Sequence, residues 1–137
     1  MAVMKSDNYH DEQNKHNILK MRSVLETLPG FCKTFFRGIE EYTSTRTRLA
    51  YAYDIRLFFE YLHENNAVCR KTDIMEYPIS ILDDIKRADI EEYLQFMSLY
   101  QKDGKDITNE ERGKARKLAS LRSFYNYFFQ NEMISTN

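Results

Sequence analysis

The sequence predicts an all-α protein, a compact bundle of four to five helices. Three observations carry this. The 137 residues include only four Gly and two Pro, too few breaks for a chain of short strands and turns. Apolar residues recur at steps of three and four rather than alternating. Hydrophobic residues make up 42% of the chain and aromatics 14%, almost all Phe and Tyr, enough to fill one core.

Residues 1–15 are polar and without apolar period, and are expected to fray. From Ile18 the stripe Ile18, Met21, Leu25 and Leu28 predicts a helix, stopped by Pro29-Gly30. A second helix is predicted from Phe31 to about Tyr42, with Phe31, Phe35, Ile39 and Tyr42 inward. Thr43-Ser44-Thr45 is a cap signal for a long third helix ending at Asn65-Asn66. Its inward stripe is Tyr51, Ile55, Phe58 and Leu62, widened by Phe59, with Arg48, Ala52, Arg56 and Glu60 opposite. Residues 67–78 read as a connection with a short extended piece at Ala67-Val68-Cys69.

Ile81 to Tyr100 is predicted helical, broken near Arg87-Ala88-Asp89, with Asp89 capping the second part and Ile90, Tyr93, Leu94 and Met97 inward. Residues 101–109 read as a polar loop. Thr108 or Asn109 is expected to cap the last helix, with Glu111 completing a capping box. On that helix Ala115, Leu118, Leu121, Tyr125 and Phe128 form an apolar stripe, and Arg112, Arg116, Ser120 and Ser123 lie opposite.

Charge is segregated although the total is −1. Between Arg112 and Ser123 stand Arg112, Lys114, Arg116, Lys117 and Arg122, with no acidic residue. Such a face suits phosphate, while the near-neutral total argues against a nucleic-acid module. Cys32 and Cys69 are too few for a disulfide framework and are expected as buried thiols. His10, His16 and His63 have no metal-binding spacing, and Asp83-Asp84, Glu91-Glu92 and Glu110-Glu111 diverge on a helix rather than sharing a proton. Neither a cofactor nor a metal site is predicted. Tyr51, Tyr53, Tyr125 and Tyr127 are expected in the core, their hydroxyls at its rim.

Two patterns resemble the tyrosine recombinases, the phage-integrase and Xer-type family. Ser44 followed by Thr47-x-x-x-Tyr51-x-x-Asp54-Ile55-x-x-Phe58 is similar to the opening of the family's N-terminal core-binding domain. Arg116-x-Leu118-x-Ser120-Leu121-Arg122-x-Phe124-Tyr125-x-Tyr127-Phe128 is similar to its last helix, and Asp89-Ile90-x-x-Tyr93-Leu94 to the segment between. Ala119 stands where the family pattern has its Ser, which falls one place later as Ser120.

The resemblance implies a SAM-like core-binding domain over residues 29–137, with residues 1–28 as an extension carrying one helix. It implies that the third and last helices lie against the major groove of a recombination half-site. Arg46, Thr47, Arg48, Arg112, Lys114, Arg116, Lys117 and Ser120 are then the expected DNA contacts. The family's catalytic Arg, Lys, His-x-x-Arg and nucleophilic Tyr are expected in a further domain outside this sequence, so this part binds without cutting. Expected partners are double-stranded DNA and neighbouring recombinase protomers, in a cytoplasmic, nucleoid-associated setting with no membrane. The rival reading is a helical protein–protein interaction module.

Overall fold

A computed structural model describes residues 5–108 and 110–135, with side chains from Tyr9 onward except at positions 101, 102 and 109. The order is α1 (Lys5–Leu25), α2 (Phe31–Gly38), a 3-10 turn (Glu40–Tyr42), α3 (Thr45–Asn65), 3-10 turns at Cys69–Lys71 and Ile74–Glu76, then α4 (Ile81–Asp84), α5 (Arg87–Phe96), β1 (Leu99–Lys102), β2 (Lys105–Thr108) and α6 (Glu111–Gln130). The fold class is all-α; a two-stranded hairpin is the only sheet among the described residues.

Helix α1 begins at Lys5, well before the expected Ile18. Its polar middle is held near α3, where Asn17 Nδ2 donates to Thr45 Oγ1 at 3.3 Å and Thr45 Oγ1 donates to Asn14 Oδ1 at 2.8 Å. Val24, Leu25 and Leu28 enter the same core as α3. Helix α2 stops at Gly38, short of the expected Tyr42, which is exposed. At Gly38 a side chain would occupy the space of the Tyr127 ring. That ring packs edge-on to Phe35 and Phe128, so a bare backbone is what lets α2 and α6 close.

Helix α3 spans the predicted range and is capped as expected, Thr47 N–H donating to Ser44 Oγ at 3.1 Å. It is buried on more than one side. Ala52 and Asp54 join Ile55, Leu57, Phe58, Phe59 and Leu62 inside. Tyr53 is exposed, with Arg56 over its ring at 5.1 Å, and is not a core residue. The core itself is aromatic: Phe31, Phe35, Phe59, Phe124 and Phe128 meet mostly edge-on, centroids 5.1–6.5 Å apart.

The segment after α3 is turned rather than extended, because Asn66 Oδ1 accepts from Val68 N–H and Cys69 N–H. Tyr77 then anchors it, donating its hydroxyl to the Cys69 carbonyl at 2.9 Å. The next helix breaks at Ile85-Lys86, and Asp89 closes the entry to α5 from inside the first turn, its carboxylate accepting from Lys86 N–H at 2.8 Å. Helix α5 ends at Phe96, and the expected polar loop is a hairpin pairing Leu99 with Thr108 and Tyr100 with Ile107. Asp103 and Gly104 both take positive φ, 53° and 77°, which suits a two-residue hairpin turn.

Thr108 belongs to β2 and does not cap α6; Asn109 lies outside the described residues. Glu110 occupies the cap position without a side-chain bond, so the expected capping box is absent there. At the far end Glu132 adopts φ 59°, with Met133 N–H donating to the Phe128 carbonyl and Glu132 N–H to that of Phe129. This reversal returns the chain over α4, where Ser135 N–H donates to Asp83 at 3.0 Å. The expected boundary at Asn137 lies outside the described residues.

Candidate nucleic-acid interface

The centre of the site is a carboxylate. Asp54, on α3, is 1% exposed, and among the described residues its side chain receives donors only from α6. Arg116 grips it end-on, Nη1 to Oδ2 at 2.9 Å and Nη2 to Oδ1 at 3.1 Å. Lys117 Nζ adds a bond to Oδ1 at 3.1 Å, and Ser120 Oγ donates to Oδ2 at 3.1 Å. A buried carboxylate left bare costs several kcal/mol, on the order of 3–5, so its four donors are what make burial tolerable. Asp54 meets Arg116–Ser120, and farther along Phe59 meets Phe124, so α3 and α6 run in the same sense where they touch. Their N-terminal ends, each with a positive partial charge from unpaired backbone N–H groups, therefore lie toward the same end of the bundle.

The residues singled out in the sequence divide into three groups. Arg46 and Arg112 are exposed. Lys114 and Arg116 are partly engaged. Lys114 Nζ sits 3.2 Å from Ser98 Oγ and 3.0 Å from Glu111, while Arg116 keeps 50% of its side chain in solvent beside Asp54. The third group is turned inward. Lys117 keeps 13% of its side chain exposed, Ser120 none of its surface, and Thr47 is half-buried with its Oγ1 accepting from Ser44.

Arg48 corrects the sequence reading most sharply. It was expected on the outer side of its helix, yet it is buried, and its Nη1 donates to the carbonyls of Glu40 at 2.8 Å and Thr43 at 2.6 Å. Those carbonyls belong to the first residue of the 3-10 turn before α3 and to the residue just after it, and carbonyls left without helix partners favour a cation. Ser120 is corrected likewise: it is buried, and its one hydroxyl proton is shared between Asp54 Oδ2 at 3.1 Å and the Lys117 carbonyl at 2.8 Å. The apolar stripe of α6 also rotates, with Ala115 exposed, Leu118 half-buried, and Phe124 central instead. The residue at the centre of this cluster that sequence reasoning missed is Asp54 itself. Its presence in the Thr47–Phe58 pattern was the available signal, since an acid on an inward stripe needs a cationic partner.

Other titratable groups are structural. Burial, and next the charge of Asp54, pushes the Tyr93 phenol well up; its hydroxyl has no hydrogen-bond partner among the described residues. Burial likewise raises Tyr125, which donates to the Leu82 carbonyl. Desolvation lifts Tyr77 to about 12 and Cys69 to about 11. A raised phenol is a poorer nucleophile at neutral pH. Cys32 and Cys69 are buried and free. Among the described residues no cluster of His, Cys, Asp and Glu could hold a metal, and no helix is long and apolar enough to cross a membrane.

A comparison with known proteins agrees with the pattern of residues. The chain is 34% identical over 101 residues to the tyrosine recombinase XerC of Caldanaerobacter subterraneus subsp. tengcongensis, a match covering 69% of this chain and 27% of that protein. The chain thus spans about a quarter of the relative's length. No family model matches, and no solved structure matches. Sequence likeness over most of its length makes this chain a member of the tyrosine recombinase family, of Xer type.

Proposed function

We propose that this chain is the SAM-like core-binding domain of a site-specific recombinase, and that it holds one face of duplex DNA without cutting it. The observation that carries the reading is the junction at Asp54. It joins the two helices bearing the family's patterns and directs their N-terminal ends the same way, with Arg46 and Arg112 free in solvent and Arg116 half free. Phosphates would be neutralised by these guanidiniums and by Lys114, and helix N-termini would add directed N–H groups. Lys117, Thr47, Arg48 and Ser120 then serve the scaffold that presents them.

On this reading residues 29–137 form the binding unit, and residues 1–28 an extension that shares its core. The DNA is a recombination half-site, and neighbouring protomers assemble on it during recombination or integration. The setting is the bacterial cytoplasm, at the nucleoid. Strand cleavage belongs to a separate catalytic domain.

A second reading, a helical protein–protein module, is favoured by one feature. A groove of about 860 Å³ between α5 and α6 has Ile90, Leu94, Leu118 and Leu121 among its lining, with Arg87 and Arg122 beside them. Fluorescence anisotropy with a labelled duplex at low and moderate salt separates the two. The DNA reading expects affinity to fall steeply with salt, and Arg46→Ala with Arg112→Ala to weaken binding and flatten the slope. Wild-type protein with no association at low salt would overturn it.

A further inference from the structure

Arg116 is anchored in an unusual way for a surface cation. Its two terminal nitrogens are both committed to one carboxylate, at 2.9 and 3.1 Å. A guanidinium carries five N–H groups, so an end-on fork of this kind leaves the second hydrogen on each Nη and the one on Nε unspent. Those remaining donors lie away from Asp54, and half of the side chain is open to solvent. The carboxylate is itself immobilised from the same helix by Lys117 and Ser120, one position and four positions beyond Arg116. The plane of the Arg116 fork is thus set by a buried group that solvent cannot reach.

Two roles for such a carboxylate are conceivable. It could compete with phosphate for the cations, or it could aim one of them. Exposure decides between them. Asp54 is 1% exposed and its oxygens already accept four donors, so an approaching anion does not displace it. Lys117, with 13% of its side chain exposed, is committed to the carboxylate. Arg116 alone reaches out, and the three charges of Asp54, Arg116 and Lys117 leave the cluster positive by one.

Resting on the DNA-binding reading above, we propose that Asp54 is a positioning residue for DNA: it fixes Arg116 so that the outer N–H groups of the guanidinium meet a backbone phosphate already oriented. An arginine held this way has little rotamer freedom left to lose on binding, which raises affinity without adding a contact. A planar fork is also something a lysine cannot supply, although it carries the same charge.

The test is a double-mutant cycle on DNA binding, read by anisotropy with a short mixed-sequence duplex at low salt, each variant checked for its helical content. Asp54→Asn keeps the shape of the side chain and removes its charge. In the Arg116 protein it is expected to weaken binding about tenfold, and in the Arg116→Ala protein by about twofold or less, because the effect passes through Arg116. Equal loss in both backgrounds would assign Asp54 a purely structural role and overturn the proposal. Tighter binding by Asp54→Asn would overturn it too, making the carboxylate a competitor. Should Asp54→Asn not fold, Arg116→Lys decides: it is expected to lose nearly as much affinity as Arg116→Ala, and wild-type affinity would sink the idea. Wild-type protein that ignores DNA altogether would remove the parent reading as well, an outcome distinct from equal losses.

Discussion

Two cationic stretches, one opening α3 and one in the first half of α6, look alike in the sequence and are used differently. In the first, Arg46 stays exposed while near neighbours close the two residues after it: Thr47 by Ser44, and Arg48 by the carbonyls of Glu40 and Thr43. Arg116, Lys117 and Ser120 are closed by a residue more than sixty positions earlier, Asp54. The first stretch completes a helix entry, and the second joins two helices. The comparison teaches that a basic residue on a helix proposed to face DNA can owe its place to the scaffold. On that proposal, the cations left for DNA are those the fold has not already consumed.

The difference should appear first in stability. Asp54→Ala is expected to cost about 3 kcal/mol in urea or thermal unfolding, since it unties α3 from α6 and leaves Lys117 nearly buried beside an empty site. Arg48→Met should cost less, about 1–2 kcal/mol, because it leaves neutral carbonyls rather than a charge without partners. A larger loss for Arg48→Met than for Asp54→Ala would break the comparison.

Alkaline pH probes the rest of the core. The Cys69 thiol is raised from 9.0 to about 11 and the Tyr77 phenol from 10.0 to about 12 in the folded protein. Both groups keep their protons longer when folded. Their contribution is therefore fully present below the unfolded values and is lost as pH rises through the folded ones. Melting temperature should hold between pH 7 and about 9 as far as these groups are concerned, then fall toward pH 11 and 12. Cys69→Ala should make that fall shallower without moving its onset, because the buried Cys32 thiol is also raised above 9.0 by desolvation. An unchanged steepness in Cys69→Ala would exclude the Cys69 thiol as a contributor.

The smallest expected effect is at the end of α6. Glu132 sits at φ 59°, a conformation that glycine adopts without strain. Glu132→Gly should stabilise the protein by about 0.5–1 kcal/mol, measured by denaturant midpoint, with no effect on the α3–α6 junction.

Legibility followed the range of the interactions. The Ser44 cap, the span of α3 and the apolar positions Ile55, Phe58 and Leu62 were readable, because each depends on local chemistry and helical period. The hairpin was missed although Asp103-Gly104 is a hairpin signal, since the strands beside it carry Lys, Asp and Gln and show no alternation. Helix α1 was begun too late because Asn14 and Asn17, polar and without period, are recruited by Thr45 from a distant helix. The site was readable in part. Arg112 and Arg116 lie on the outer side as the stripe suggested, but nothing local in the sequence says that Arg48 and Ser120 face inward. That required knowing that Asp54 and α6 meet.

The central claim is that the exposed cations, and not the internal ones, neutralise phosphate. The direct measurement is the dependence of duplex affinity on salt concentration for Arg112→Ala, Arg46→Ala and Arg48→Met. Each phosphate contact contributes about 0.9 to the slope of log affinity against log salt. Arg112→Ala and Arg46→Ala should each reduce the slope by about that amount, and Arg48→Met, at temperatures where it is folded, should leave it unchanged. A slope that drops for Arg48→Met and stays fixed for the other two would contradict the account.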